Sequence, residues 1–212
     1  MKKVAIITGG NSGLGYSLCE QFKDTMMVIS LARHNGPAID NVQQIVCDVS
    51  DWEQVEKTIS AIIKEYGRID LIINAAAHFS GKTLIDESPK DLKQSYMTNV
   101  LGPLFVAKAA LPTMLAQEEQ SDIIMINSTN GLSIKASRTA YTGSKWGLTG
   151  ATRVLGEELK GTRVHLGAIY QGKMENSMAS DGIEYARIGD AIKLMIEHDR
   201  VGNLSEIKIE QW

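Results

Sequence analysis

The sequence predicts an α/β fold: a doubly wound parallel sheet of seven strands with helices on both faces, three layers in all. Two observations carry that expectation. Short apolar runs rich in β-branched residues alternate with segments of helical spacing, and consecutive parallel strands need crossover connections, nearly all of them right-handed. The chain's 212 residues, 43% of them hydrophobic, suffice for one sizeable core, and no linker, internal repeat or low-complexity tract interrupts them, so residues 1–212 are expected to form a single domain.

The first strand is expected at residues 4–8, running into a glycine-rich turn and then a helix over 16–22. Similar apolar runs put strands at 26–31 and 69–74, with a shorter one at 44–47. Ser50-Asp51 supplies an N-cap for a helix that carries Trp52, Val55, Ile59, Ile62 and Ile63 on one face and stops at Tyr66-Gly67. Ser88-Pro89 opens the next helix, since proline is tolerated at the first helical position, and apolar spacing runs on to about Ala116. Pro103 and Pro112 are expected to kink or divide it. Strands over 122–127, 163–169 and 205–209 and helices over 139–159 and 184–197 complete the alternation. The least regular stretches, 77–87, 129–138 and 171–182, all follow predicted strands, at the edge where open α/β sheets bind ligands.

Composition excludes several functions. Lys plus Arg number 22 against 25 Asp plus Glu, a formal charge of −3, so no general basic surface meets a phosphate backbone and nucleic acid is not an expected partner. The apolar run after Met1-Lys2-Lys3 reaches only Ile7, too short for a secretory core or a bilayer span, which makes a cytoplasmic protein with no membrane partner the expectation. Cys19 and Cys47 fall inside a predicted helix and a predicted strand and read as packed thiols. With four scattered histidines, His34, His78, His165 and His198, no pair has metal-ligand spacing, and no structural metal is expected.

The first strand runs directly into Thr8-Gly9-Gly10-Asn11-Ser12-Gly13-Leu14-Gly15. Glycines at 9, 13 and 15 permit a tight turn, let the backbone approach a ligand, and bring helix and strand together with the helix N-terminus aimed at an anion. A pyrophosphate fits such a cradle.

The spacing TGxxxGxG resembles that of the short-chain dehydrogenase/reductase family, and the resemblance runs through nearly the whole chain in order. Asp48 follows the third predicted strand, Asn74-Ala75-Ala76-Ala77 the fourth, Asn99 sits in a helix, Ser128 follows the fifth strand, and Tyr141-Thr142-Gly143-Ser144-Lys145 comes next. The resemblance implies a Rossmann-type fold and an oxidoreductase that interconverts a carbonyl and an alcohol on a small organic substrate. It also implies roles: Tyr141 as general acid/base, Ser128 hydrogen-bonding the reacting oxygen, Lys145 holding the nicotinamide ribose, and Asn99 fixing a water that links Lys145 to solvent. The spacing independently supports one part of this. Tyr141 and Lys145 lie four apart on one predicted helix and share a face, and an ammonium beside a phenol favours phenolate.

By the same resemblance, cofactor contacts fall at Gly9, Asn11, Ser12, Gly13, Leu14 and Gly15, at Arg33, at Asp48 and Val49, and at Asn74, Ala75 and Ala76. Tyr141, Lys145, Gly172 and Asn176 complete the set. The acid that selects NAD in the family is absent from Leu31-Ala32-Arg33-His34, whereas Arg33 offers a planar donor fork for a 2′-phosphate, so NADP is the expected cofactor, with NAD the other possibility. Asp48 is expected to hydrogen-bond the adenine amine.

Ala77 stands where the family more often has Gly, and Gln171 and Asn176 stand where it has Pro and Thr; the nicotinamide end is therefore expected to be held less rigidly, and the substrate loop at about 171–183 is short. Ala77, His78, Phe79, Asn130, Leu132, Tyr170, Met174 and Met178 are the residues expected at the mouth, with His78 a wall or surface residue rather than a second proton carrier. Relatives commonly dimerise through two long helices, here about 101–116 and 139–159, so a homodimer or homotetramer is expected, the competing reading being that Ala107, Ala110, Leu111 and Met114 face the chain's own sheet. A second function, motivated by Gln171 and Ala77, is a dinucleotide-binding sensor or scaffold with little or no turnover.

Overall fold

The computed structural model describes residues 2–174, 182–197 and 204–211. Its elements in chain order are β1 (Val4–Thr8), α1 (Gly13–Phe22), β2 (Met27–Ala32), β3 (Val42–Val46), α2 (Trp52–Tyr66) and β4 (Leu71–Asn74). Then come α3 (Pro89–Tyr96), a π-helical turn (Met97–Leu101), α4 (Gly102–Ala116), β5 (Ser121–Ser128), a 3-10 turn (Thr129–Gly131), α5 (Thr139–Glu158), β6 (Val164–Gln171), α6 (Tyr185–Glu197) and β7 (Leu204–Ile209). The strands form one parallel seven-stranded sheet of order β3-β2-β1-β4-β5-β6-β7. Chain direction across the sheet reverses between β1 and β4, and that reversal opens a crevice beyond their C-terminal ends.

The inner strands β1, β2 and β4 are almost wholly apolar because both faces are covered. Val4 and Ile6 of β1 enter a cluster with Val55, Ile59, Val106 and Leu148 from α2, α4 and α5, while Ala5 and Ile7 enter a second one with Leu18 of α1 and Ile188 of α6. Burying each isoleucine contributes about 2–3 kcal/mol, so the two-sided burial of the strands fixes register as well as stability.

Local signals act as expected at several ends. The Asp51 side chain accepts from Gln54 N, and Gly67, at φ 72, closes α2 in the left-handed region. Ser88 accepts from Asp91 N with Pro89 in the first turn of α3. The two prolines behave differently. The disturbance expected at Pro103 is the π-helical turn that ends two residues before it, within a helical stretch that is otherwise continuous, whereas α4 runs on through Pro112. α1 begins at Gly13, so the glycine motif supplies the helix's own first turn.

The stretch Pro89–Ala116 is long and apolar enough to cross a membrane by length and composition. Yet Val106, Ala107, Ala110 and Met114 are buried against the sheet, with Leu111 packed beside them. Those side chains serve the chain's own core.

Candidate active site

The glycine motif leaves β1 under tight steric constraint. Gly9 N donates to Leu31 O at 2.7 Å, and Thr8 Oγ1 accepts from Ala76 N at 3.0 Å, tying the motif to the segment after β4. A Cβ on Gly9 would lie 2.9 Å from Ala76 Cα, and one on Gly15 only 2.2 Å from Gly9 O, so only glycine permits this approach. The Ser12 side chain does not cap α1, whose first helical bond is Tyr16 N to Ser12 O. The amides of residues 13–15 therefore point onward without helical acceptors, an arrangement suited to an anion.

A cavity of about 360 Å³ opens there, lined by the glycine motif and by Arg33, Asp48, Val49, Ala75 and Ala76. Arg33 is exposed at its lip and has no ion-pair partner among the described residues. Asp48 uses Oδ1 to accept from Ser50 N at 2.9 Å and Ser50 Oγ at 2.7 Å. Asn74 lies beneath rather than on this wall: it is buried, with Nδ2 donating to Met125 Sδ at 3.4 Å.

A second cavity, about 620 Å³, shares Ala77 with the first and is lined by Phe79, Ser128, Asn130, Arg138, Tyr141, Gln171, Gly172 and Met174, among others. Ser128 ends β5, where its Oγ accepts from Asn130 N and Asn130 Nδ2, both at 3.2 Å, and keeps its own proton to donate. The Tyr141 ring meets the Phe79 ring edge-on at 4.9 Å. Burial raises the Tyr141 phenol above its usual 10.0, opposed by the Ser128 side chain and the Arg138 charge.

Lys145 is buried, its Nζ 5.8 Å from the Tyr141 ring centroid and donating to Ile126 O at 3.0 Å. Burial pulls that ammonium down from 10.5 to about 8. Placement at i and i+4 predicts that Lys145 lowers the phenol; instead burial dominates both groups, and the cation that does lower the phenol is Arg138.

Asn99, fully buried in the π-helical turn, spans the site. Its Oδ1 accepts from His78 N at 2.7 Å, and its Nδ2 donates to His78 O at 2.8 Å and to Ser144 Oγ at 2.9 Å. Ser144 Oγ in turn donates to Tyr141 O at 2.7 Å, which closes a bridge from the end of β4 to the first turn of α5. Protein groups thus engage the side chain expected to hold a water. A parallel brace runs from β5, where Asn127 Nδ2 donates to Thr149 Oγ1 at 2.9 Å and to Lys145 O at 3.3 Å.

The model of the short chain dehydrogenase family matches residues 3–184. The chain belongs to the short-chain dehydrogenase family. As a family member it is an oxidoreductase acting on CH-OH groups with a nicotinamide cofactor. It is 26% identical to a 3-oxoacyl-[acyl-carrier-protein] reductase of Bos taurus over 91% of this chain and 87% of that protein. Among solved structures, a metagenomic short-chain oxidoreductase in complex with NADP is 22% identical, with a TM-score of 0.83 over 99% of this chain and 98% of that one. A 4-hydroxyisoleucine dehydrogenase complexed with NADH is likewise 22% identical, with a TM-score of 0.88 over 98% and 96%. At these identities the structures show the shared fold.

The short-chain dehydrogenase residues expected from sequence divide into groups. Gly9, Asn11, Ser12, Gly13, Leu14, Gly15, Arg33, Asp48, Val49, Ala75 and Ala76 line the first cavity, and Ser128, Tyr141 and Gly172 line the second. Asn74, Asn99 and Lys145 support from behind, while Asn176 and Met178 lie outside the described residues. Of the expected mouth, Ala77, Phe79, Asn130 and Met174 line the cavity. Tyr170 is instead buried, with its hydroxyl donating to Glu206 Oε1 at 2.9 Å, because β6 turns it toward β7. Leu132 is exposed and does not line either cavity, and the His78 ring lies toward Asp91, with Nε2 at 3.7 Å from Oδ1. Sequence reasoning missed Asn127, Ser144 and Arg138. The available signal for Asn127 was a polar residue inside an otherwise apolar strand run; Ser144 and Arg138 had none beyond their nearness to Tyr141.

The residues present fit a dinucleotide. Uncapped amides, a backbone too crowded for any Cβ at Gly15, and an unpaired guanidinium at the lip form a cradle for phosphates. Cys19 and Cys47 are free and buried, Cys47 at the wall of this cavity, and burial pushes the Cys19 thiol up to about 12.

Proposed function

We propose that the protein is an NADP(H)-preferring oxidoreductase that interconverts a carbonyl and an alcohol on a small organic substrate, with Tyr141 as general acid/base. One observation carries the reading: the Tyr141 phenol and the Ser128 hydroxyl share a cavity wall that adjoins the glycine-lined cavity, with the buried Lys145 ammonium behind them. When bound, the nicotinamide supplies hydride in reduction and accepts it in oxidation.

In reduction, Tyr141 donates its hydroxyl proton to the carbonyl oxygen as negative charge develops there, and in oxidation it takes the proton from the alcohol. Ser128 Oγ, already accepting from Asn130, donates its own hydrogen to that oxygen. Lys145, drawn down to about 8, exchanges protons close to neutral pH and holds the ribose. Asn99 positions Tyr141 through Ser144, and the unpaired Arg33 guanidinium supports NADP over NAD by its fit to a 2′-phosphate. The protein acts as a twofold dimer through α4 and α5.

The test follows loss of reduced-nicotinamide absorbance with NADPH and NADH in parallel over a panel of carbonyl compounds. The intact chain consumes NADPH faster than NADH. Tyr141→Phe lowers turnover by about 10²–10⁴-fold and leaves cofactor affinity unchanged. Equal consumption by the intact chain and the variant would overturn the reading.

A further inference from the structure

The second cavity carries a charge pattern that the proton chemistry does not use. Although the chain's formal charge is −3, this cavity is lined by Lys135, Arg138 and Lys173 and by no carboxylate among the described residues. Lys135 and Arg138 also have no ion-pair partner among the described residues. Arg138 precedes α5, half-buried, three positions before Tyr141. Its Cζ lies 5.5 Å from the centroid of the Phe79 ring, the ring that meets Tyr141 edge-on at 4.9 Å.

Two further features point the same way. Ser137 is held at φ 59, a left-handed conformation that costs a residue with a Cβ, and the strain sits at the residue that leads into Arg138. Beside these cations, Phe79 and Ile134 are 57% and 86% exposed, large apolar side chains kept in solvent among the residues lining the cavity. A partly desolvated guanidinium beside an apolar wall selects a ligand with an anionic end and an apolar body, since the planar fork pairs with carboxylate or phosphate and the wall covers carbon.

We propose that the substrate carries an anionic group, a carboxylate or a phosphate, seated on Arg138 and Lys135, with the apolar part that joins it to the reacting carbon lying against Phe79 and Ile134. The proposal rests on the oxidoreductase reading and narrows its substrate class. The anion sits a short span from the carbonyl, because one aromatic ring separates Arg138 from Tyr141.

The test uses the full chain with NADPH and matched pairs of compounds: 4-oxopentanoate against its methyl ester, and dihydroxyacetone phosphate against dihydroxyacetone. The intact protein prefers the anionic member by at least about tenfold in kcat/KM. Arg138→Gln raises KM for that member by about 10–100-fold, the loss of a charge-assisted hydrogen bond, and leaves KM for the neutral member within about twofold, while any change in kcat from removing a charge beside the Tyr141 phenol is common to both members. Arg138→Lys restores part of the preference, and unchanged NADPH affinity confirms that the variants fold. The pair with the larger preference distinguishes carboxylate from phosphate.

Equal use of neutral and anionic members, or an equal loss for both in Arg138→Gln, overturns the proposal while the oxidoreductase reading stands. If none of the four compounds is turned over, calorimetry with butanoate and butanamide decides the anion site alone, and the carbonyl panel with Tyr141→Phe decides the oxidoreductase reading separately. Butanoate binding that Arg138→Gln weakens sustains the site; equal binding of the two compounds removes it.

Discussion

Replacing Lys145 by methionine should make the protein more stable and inactive at once. Burial lowers the ammonium from 10.5 to about 8, and at about 1.4 kcal/mol per unit the charged form costs roughly 3 kcal/mol near neutral pH. Methionine follows the lysine stem closely in volume, so little cavity or overpacking is introduced. It loses the 3.0 Å hydrogen bond to Ile126 O, a cost of about 1 kcal/mol. The expected net gain is therefore about 2 kcal/mol at pH 7.

The gain depends on pH in a fixed direction. Between about 8 and 10.5 the folded lysine is neutral while the unfolded one still binds a proton, so the stability of the intact protein rises with pH across that window. The advantage of Lys145→Met accordingly shrinks from pH 8 upward and is gone above 10.5. Urea unfolding of both proteins at pH 7 and pH 10, without added cofactor, measures it, and turnover is assayed on the same samples. A variant less stable than the parent at pH 7, or a difference that ignores pH, would refute the reasoning.

Other consequences are testable directly. Arg33→Ser should raise KM for NADPH by about 10–100-fold and leave KM for NADH within about twofold, since only the 2′-phosphate loses a charged partner; steady-state kinetics with both cofactors reads this. Gly15→Ala places a Cβ 2.2 Å from Gly9 O, against backbone that cannot yield cheaply, so it should cost about 1–3 kcal/mol and abolish saturable NADPH binding, as followed by thermal unfolding with and without cofactor. Sedimentation should give a mass of two chains; the mass of one would remove the dimer from the proposal.

The fold was largely legible because the inner strands are buried on both faces. Runs such as Val-Ala-Ile-Ile-Thr therefore carry no alternation to misread, and Asp51, Gly67 and Ser88 mark helix ends through local chemistry. Pro112 misled because the loss of one backbone donor is local, whereas the packing of Val106, Ala110 and Met114 on the sheet holds α4 together on both sides of it. At the site, the glycines and the Tyr141–Lys145 pair were legible through spacing along single elements, and Ser128 through the family resemblance alone. Arg138 and Asn127 were not, since what brings Arg138 to the Phe79 ring and Asn127 to Lys145 and Thr149 is the path of the loop after β5 and the docking of α5 on the sheet, neither of which leaves a periodic trace. The electrostatics also escaped the spacing argument. Placement at i and i+4 says that two groups are near but not that both are out of water, and desolvation outweighs their attraction here.

The bridge through Asn99 also bears on the order in which the molecule assembles. Its hydrogen bonds span 21 residues to His78 and 45 to Ser144, and the tie from Ala76 to Thr8 spans 68. Each closes a long loop, and the entropy of that closure is spent before the contact returns anything, so such contacts form late. The helices need only neighbouring residues, whereas the site needs β1, β4, β5 and α5 in place together. During refolding from denaturant, helical signal should therefore return well before cofactor binding, and the appearance of activity times the last step of folding rather than the first.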